Sequence, residues 1–247
     1  MNHLLEKIFS SKTFLTKDNE FIQIHSETGK EQCEFLQKLI SENNLSNSIE
    51  IGFAFGISAL AITEEVVKNN GSHTIIDKFE NTQWNGVGLD LLFQAGYSKN
   101  IHFYEEFCYV VLPKLLEEGK KFDFAYIDST KQLDWLLVDF FYLDKLLING
   151  GIIVFDDVSF PGIRKLLRYI SQFPDYRVFN TFPINKKSNF RYKVLSILRV
   201  LKILPKNYKY IKPNIFLTDF DLGINSHCVA IQKINEDSRD WNWHKDF

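Results

Sequence analysis

The segment Glu50-Ile51-Gly52-Phe53-Ala54-Phe55-Gly56-Ile57-Ser58 joins a short apolar run to an amphipathic stretch. Gly52 and Gly56 let the backbone turn tightly and pass close to a ligand, and the amides that open the following helix can receive a carboxylate or phosphate. An ordinary turn at a strand end is the alternative. The pattern is not GxGxxG, which disfavours a nicotinamide dinucleotide site. Asp77 ends the next apolar run, 27 residues after Glu50. Its carboxylate can accept two hydrogen bonds from ribose hydroxyls, or cap the next helix.

A second set of residues is acidic. Asp128, Asp156 and Asp157 end two later apolar runs, so the fold should make them neighbours, and unpaired they would repel. Hard oxygen donors of this kind suit Mg²⁺ or a similar divalent cation; alternatively Asp156 or Asp157 caps the helix after Phe160 and meets a cofactor amine without a metal. Lys131 follows Asp128 by three residues. It is a base only where burial or a nearby cation lowers its value from about 10.4, and otherwise a solvated lysine or an anchor for an anionic substrate.

The remaining reactive residue types give less. His25, His102, His227 and His244 lack the spacing of a zinc site, no nucleophile elbow is present, and these histidines are read as structural. Trp84, Trp241 and Trp243 are read as core packing. Cys33, Cys108 and Cys228 are far apart and without CxxC spacing, which points to neither a disulfide framework nor zinc but to a reduced, cytoplasmic protein.

The elements that must position these groups follow from the hydrophobic rhythm. A chain of 247 residues, 45% hydrophobic, is expected to form one domain, 1–247. An N-terminal helical arm (1–47) ends in a helix over 27–43 with Phe35, Leu36, Leu39 and Ile40 on one face. Strands are predicted at 48–52, 73–77, 101–104, 122–128, 151–156, 176–180 and 228–234, with helices between them. This alternation predicts an α/β fold: a Rossmann-like, doubly wound, seven-stranded sheet, mostly parallel, with helices on both faces and a ligand crevice beyond the strand ends.

Charge marks one boundary. The chain as a whole carries a formal net charge of −2, yet Tyr176 to Thr218 holds ten Lys or Arg and no Asp or Glu. Within a basic insert at 183–222, before the last strand, 194–204 reads as an amphipathic helix stopped by Pro205. A lid over an anionic acceptor, a peripheral membrane contact through 190–212, and a packing or homo-oligomer interface are all open readings. Net charge gives no reason to expect nucleic acid, no run reaches transmembrane length, and no aromatic platform accompanies the basic residues.

The set Glu50-x-Gly52-x-Ala54-x-Gly56-x-Ser58 followed by Asp77 resembles the nucleoside-binding half of class I S-adenosylmethionine-dependent methyltransferases. The segments 73–84, 122–128, 150–157 and 239–244 are similar to those of bacterial tailoring methyltransferases. Asp128-Ser129-Thr130-Lys131 is similar to the Asp-x-x-Lys of catechol and caffeoyl-CoA O-methyltransferases, where the bacterial branch more often has a histidine. The resemblance implies S-adenosylmethionine bound by Glu50, Gly52, Ala54, Gly56, Ser58, Asp77, Phe107, Cys108 and Asp128, with Phe107 and Cys108 beside the adenine. It implies Lys131 and Asp128 as catalytic residues, and Asp128, Asp156 and Asp157 around a divalent cation, although relatives usually have Asp-Asn where this chain has Asp156-Asp157. The reaction implied is O-methylation of a hydroxyl on a small-molecule or sugar-bearing acceptor. A methyltransferase-like protein that binds cofactor without methyl transfer is the alternative.

Overall fold

The computed structural model describes residues 1–25, 28–183 and 217–244. Helix α1 (His3–Ser11) leads into strands β1 (Thr13–Leu15) and β2 (Phe21–Gln23). Then α2 (Lys30–Glu42), β3 (Asn47–Ile51), α3 (Ile57–Lys68), β4 (Ser72–Ile76), α4 (Glu80–Gln83), α5 (Val87–Gln94) and β5 (Ile101–Tyr104) follow. The second half runs α6 (Cys108–Glu117), β6 (Phe122–Ile127), α7 (Leu133–Leu146), β7 (Leu147–Phe155), α8 (Pro161–Ile170), β8 (Tyr176–Phe182) and β9 (Cys228–Lys233).

Seven strands form one sheet in the order β5-β4-β3-β6-β7-β9-β8. The first five are mutually parallel, and β9 runs antiparallel to both β7 and β8. The expected doubly wound architecture is thus present. Alternation along the central strands divides the core. Phe124, Tyr126, Ile152 and Val154 pack with Phe35, Leu36, Leu39 and Ile40 of α2 and Ile62 and Val66 of α3. Ala125, Ile127, Ile153 and Phe155 point to the other face, against α6, α7 and α8. A strand covered on both faces needs apolar residues at every position, which is why these runs are continuous rather than alternating. Each large apolar side chain so buried contributes about 1.5–3 kcal/mol.

The N-terminal arm is not wholly helical. β1 and β2 pair antiparallel, closed by a turn in which Asn19 takes φ 62°. Strands of three residues are too short to display a period. The predicted helix at 194–204 and most of the basic insert lie outside the described residues. Among the described residues, no helix is long and apolar enough to cross a membrane.

Candidate active site

Where β3 ends, the chain must turn beneath the end of β6. Gly52 has φ 94°, and a Cβ there would stand 2.1 Å from the Asp128 carbonyl oxygen. Gly56, at φ 73°, would bring a Cβ within 2.9 Å of the Gly88 Cα. Only glycine meets both demands at once. Asp77, at the end of β4, holds the turn: one oxygen accepts from the Phe53 amide (2.8 Å) and the Ala54 amide (3.3 Å), the other from the Phe79 amide (2.7 Å).

Above this turn opens a cleft of about 440 Å³, within the range of small-molecule sites. Gly52, Phe53, Ala54, Asp77, Phe107, Cys108 and Asp128 lie on its wall. Phe107 stands edge-on to Phe79 (5.9 Å) and Trp135 (6.0 Å), all three lining the cleft, so one end is an aromatic box that suits a flat heterocycle. Ser58 lies instead on a smaller recess with Thr28, Ala54 and Asp128.

Glu50 departs from expectation. It is fully buried and on neither wall. It accepts from the Ser58 hydroxyl on one oxygen and meets His73 Nε2 at 2.9 Å on the other, and Ser48 Oγ closes the chain at 2.8 Å from His73 Nδ1. Glu50 therefore positions Ser58 and the turn from below. Gly56, likewise outside both walls, serves the turn.

The carboxylates gather as expected, but each has a different neighbourhood. Lys131 Nζ bridges Asp128 (2.7 Å) and Asp157 (3.1 Å). Gly162 of α8 makes this possible, since a Cβ there would lie 2.1 Å from the Lys131 carbonyl oxygen. Asp156 is buried; Oδ2 accepts from Tyr126 (2.8 Å) and Gln32 (2.7 Å), and Oδ1 from the Asp157 amide (2.7 Å) and the Cys228 thiol (3.1 Å). Asp157 has φ 54°, a conformation that Asp tolerates better than most residues.

These surroundings set the proton affinities. Burial, then the charge of Asp156, pushes Asp128 up to about 6 against the pull of Lys131. Burial alone would raise Asp156, but the hydrogen bonds from Cys228, Tyr126, Gln32 and the Asp157 amide hold it below the usual carboxylate value. For Lys131, burial lowers the value and Asp128 and Asp157 raise it, with a net rise. The lowered value that a lysine base needs is not met in this arrangement. Burial, then Asp156, drives the Cys228 thiol well up, so it stays protonated and acts as a donor.

His227 is the residue that spacing misses. The register pairs Phe155 with Val229, which sets the start of β9 beside the end of β7. His227 Nε2 lies 3.3 Å from Asp156 Oδ1 and 3.9 Å from Asp157 Oδ1. It is a member of the carboxylate cluster rather than a packing residue. Two tryptophans also differ from expectation. Trp84 lines the cleft while packing on Phe55 at 5.1 Å, and Trp241 is 97% exposed. Trp243, half-buried, packs on Phe173 at 5.3 Å against the edge of the core.

Known proteins resemble this chain in sequence and in fold. The O-methyltransferase family profile matches residues 7–168. Caffeoyl-CoA O-methyltransferase 2 of Petunia hybrida is 29% identical over 163 residues, 59% of this chain and 63% of that protein. Caffeoyl-CoA O-methyltransferase 1 of Eucalyptus globulus is 31% identical over 158 residues, 59% of this chain and 62% of that protein. The match thus spans under two thirds of the length of these relatives. Among solved structures, the O-methyltransferase TomG of Streptomyces achromogenes in complex with SAM superposes with TM-score 0.59 at 18% identity, covering 72% of this chain and 82% of that one. An O-methyltransferase from Bacillus cereus in complex with SAH gives 0.56 at 20% identity, covering 62% and 74%. The chain belongs to the O-methyltransferase family.

Proposed function

We propose that this protein transfers a methyl group from S-adenosylmethionine to a hydroxyl oxygen of a small phenolic or sugar-bearing acceptor. One observation carries the reading: Asp128 belongs both to the wall of the cleft and to the charged cluster with Lys131. A cofactor lying along the turn therefore ends where proton-handling groups begin. The aromatic end suits adenine, Asp77 the ribose, and the recess at Ser58 and Thr28 the methionine moiety.

A sulfonium supplies an already reactive methyl, so the protein's task is to align the acceptor oxygen with it and manage one proton. Lys131 and Asp128, joined at 2.7 Å, are the groups assigned to that proton. While both carboxylates pair with Lys131 its ammonium orients the acceptor oxygen by hydrogen bonding. It becomes a proton acceptor only when Asp128 or Asp157 is engaged elsewhere.

The cluster fits a divalent cation. Lys131 already bridges the hard donors Asp128 and Asp157, and beside them Asp156, His227 and Cys228 offer ligand atoms within 4.8 Å of one another. Such an ion, when bound, lowers the pKa of the acceptor hydroxyl. The test is incubation with methyl-labelled S-adenosylmethionine and a panel of phenols and hydroxylated sugars, with and without Mg²⁺, read by mass spectrometry. Labelled product together with S-adenosylhomocysteine supports the reading. Tight binding without turnover on any acceptor favours a non-catalytic, methyltransferase-like component.

A further inference from the structure

We infer that His227 is a direct ligand of the cation at this cluster, so that the site prefers a borderline transition ion over Mg²⁺; this rests on the cation-assisted reading above. His227 stands just before β9, the antiparallel strand next to β7, and with Asp156 and Cys228 offers ligand atoms within 4.8 Å of one another. Two ligands of one ion at about 2.1 Å each lie no more than about 4.2 Å apart. The separations of His227 Nε2 from Asp156 Oδ1 (3.3 Å) and Asp157 Oδ1 (3.9 Å) both satisfy this.

The donor types narrow the choice of ion. Cys228 Sγ, 3.1 Å from Asp156 Oδ1, stands in the same group of donor atoms, so imidazole nitrogen and sulfur adjoin the carboxylate. Mixed imidazole and carboxylate donors suit Mn²⁺, Co²⁺ or Zn²⁺, whereas Mg²⁺ asks for oxygen alone. His227 is 44% exposed on the cluster side of the fold, leaving its ring free to take up an ion without opening the core. Asp156 has Oδ2 tied to Tyr126 and Gln32, which fixes the carboxylate so that Oδ1 faces the imidazole.

The test uses the full chain with S-adenosylhomocysteine present. Electron spin-echo modulation of bound Mn²⁺ should show a directly coordinated nitrogen in the wild type and none in His227→Gln. By calorimetry, the preference for Co²⁺ over Mg²⁺ should fall tenfold or more in His227→Gln, with Mg²⁺ affinity within about threefold. Unchanged S-adenosylhomocysteine affinity shows that the variant is folded. No nitrogen coupling in the wild type, or the same coupling in the variant, overturns the assignment of His227 while leaving the cation in place. Absence of any divalent binding overturns both that assignment and the cation-assisted reading, and leaves the cofactor site to be judged by its own titration.

Discussion

The Lys131 ammonium stands 2.7 Å from the Asp128 carboxylate, on the turn that carries the chain from β6 into α7. The pair is part-buried, and Asp157 completes it from the end of β7 at 3.1 Å. A lysine so held is a pre-positioned cation beside Asp128, which lines the cleft. Replacing Lys131 by Met keeps much of its length and removes the charge. Turnover on an accepted substrate should fall by roughly 10²-fold or more, with S-adenosylhomocysteine affinity kept within about threefold. A raised KM with intact kcat would make Lys131 a binding residue only.

The Gly-rich turn makes a steric prediction. Gly52→Ala forces a methyl group to 2.1 Å from the Asp128 carbonyl oxygen, whereas Gly150, also in the left-handed region at φ 87°, has nothing within 4 Å. Gly150→Ala should therefore cost only the backbone conformation, about 1–2 kcal/mol in urea denaturation. Gly52→Ala should cost more and weaken cofactor binding at least tenfold, because the displaced backbone carries Asp128. Equal effects at the two sites would show that the turn is not built on the close approach at Gly52.

A buried carboxylate outside the cleft predicts a pH dependence. Asp139 of α7 is fully buried and neither of its oxygens has a hydrogen-bond partner among the described residues. Burial raises it from 3.8 to about 6, opposed only in part by the nearby Cys108 thiol, which does not reach full hydrogen-bond geometry. For an acid raised in the folded state, the stabilisation is full below the unfolded value and disappears as pH rises through about 6. Between pH 5 and pH 8 this amounts to about 1 kcal/mol. Asp139→Asn should flatten the slope of stability against pH in that window by that amount. Glu80, raised to about 7 by burial, acts in the same direction and remains in the variant. Asp156, held low, loses its contribution only below the window. An identical slope in wild type and Asp139→Asn would refute the assignment.

Much of the site was legible because it sits in short local patterns. Gly52, Gly56 and Asp77 are separated by strand and helix lengths that a parallel α/β unit imposes, and continuous runs such as Ile152 to Phe155 mark strands covered on both faces. What local spacing does not carry is lateral pairing. His227 comes to Asp156 and Asp157 through the antiparallel register of β9 on β7, some 70 residues along the chain. Glu50 faces a partner, His73, on the neighbouring strand, so an acidic residue at a strand end, which reads as a ligand contact, is a buried support. The aromatic end of the cleft, Phe79 with Phe107 and Trp135, draws on three separate loops and helices. The family resemblance names Phe107, but Phe79 and Trp135 alone have the signature of ordinary core aromatics.

The cleft between the Gly52 turn and Asp77 is the proposed cofactor site, and titration calorimetry with S-adenosylhomocysteine tests that most directly. Wild-type protein should bind one equivalent per chain. Asp77→Ala removes both the proposed ribose contact and the anchor of the Phe53 and Ala54 amides, and should weaken binding by about 1.5–3 kcal/mol, roughly 10- to 150-fold. Asp77→Asn, which retains one accepting oxygen, should fall between the two. Absence of binding by the wild type, or the same affinity in all three proteins, would contradict the assignment.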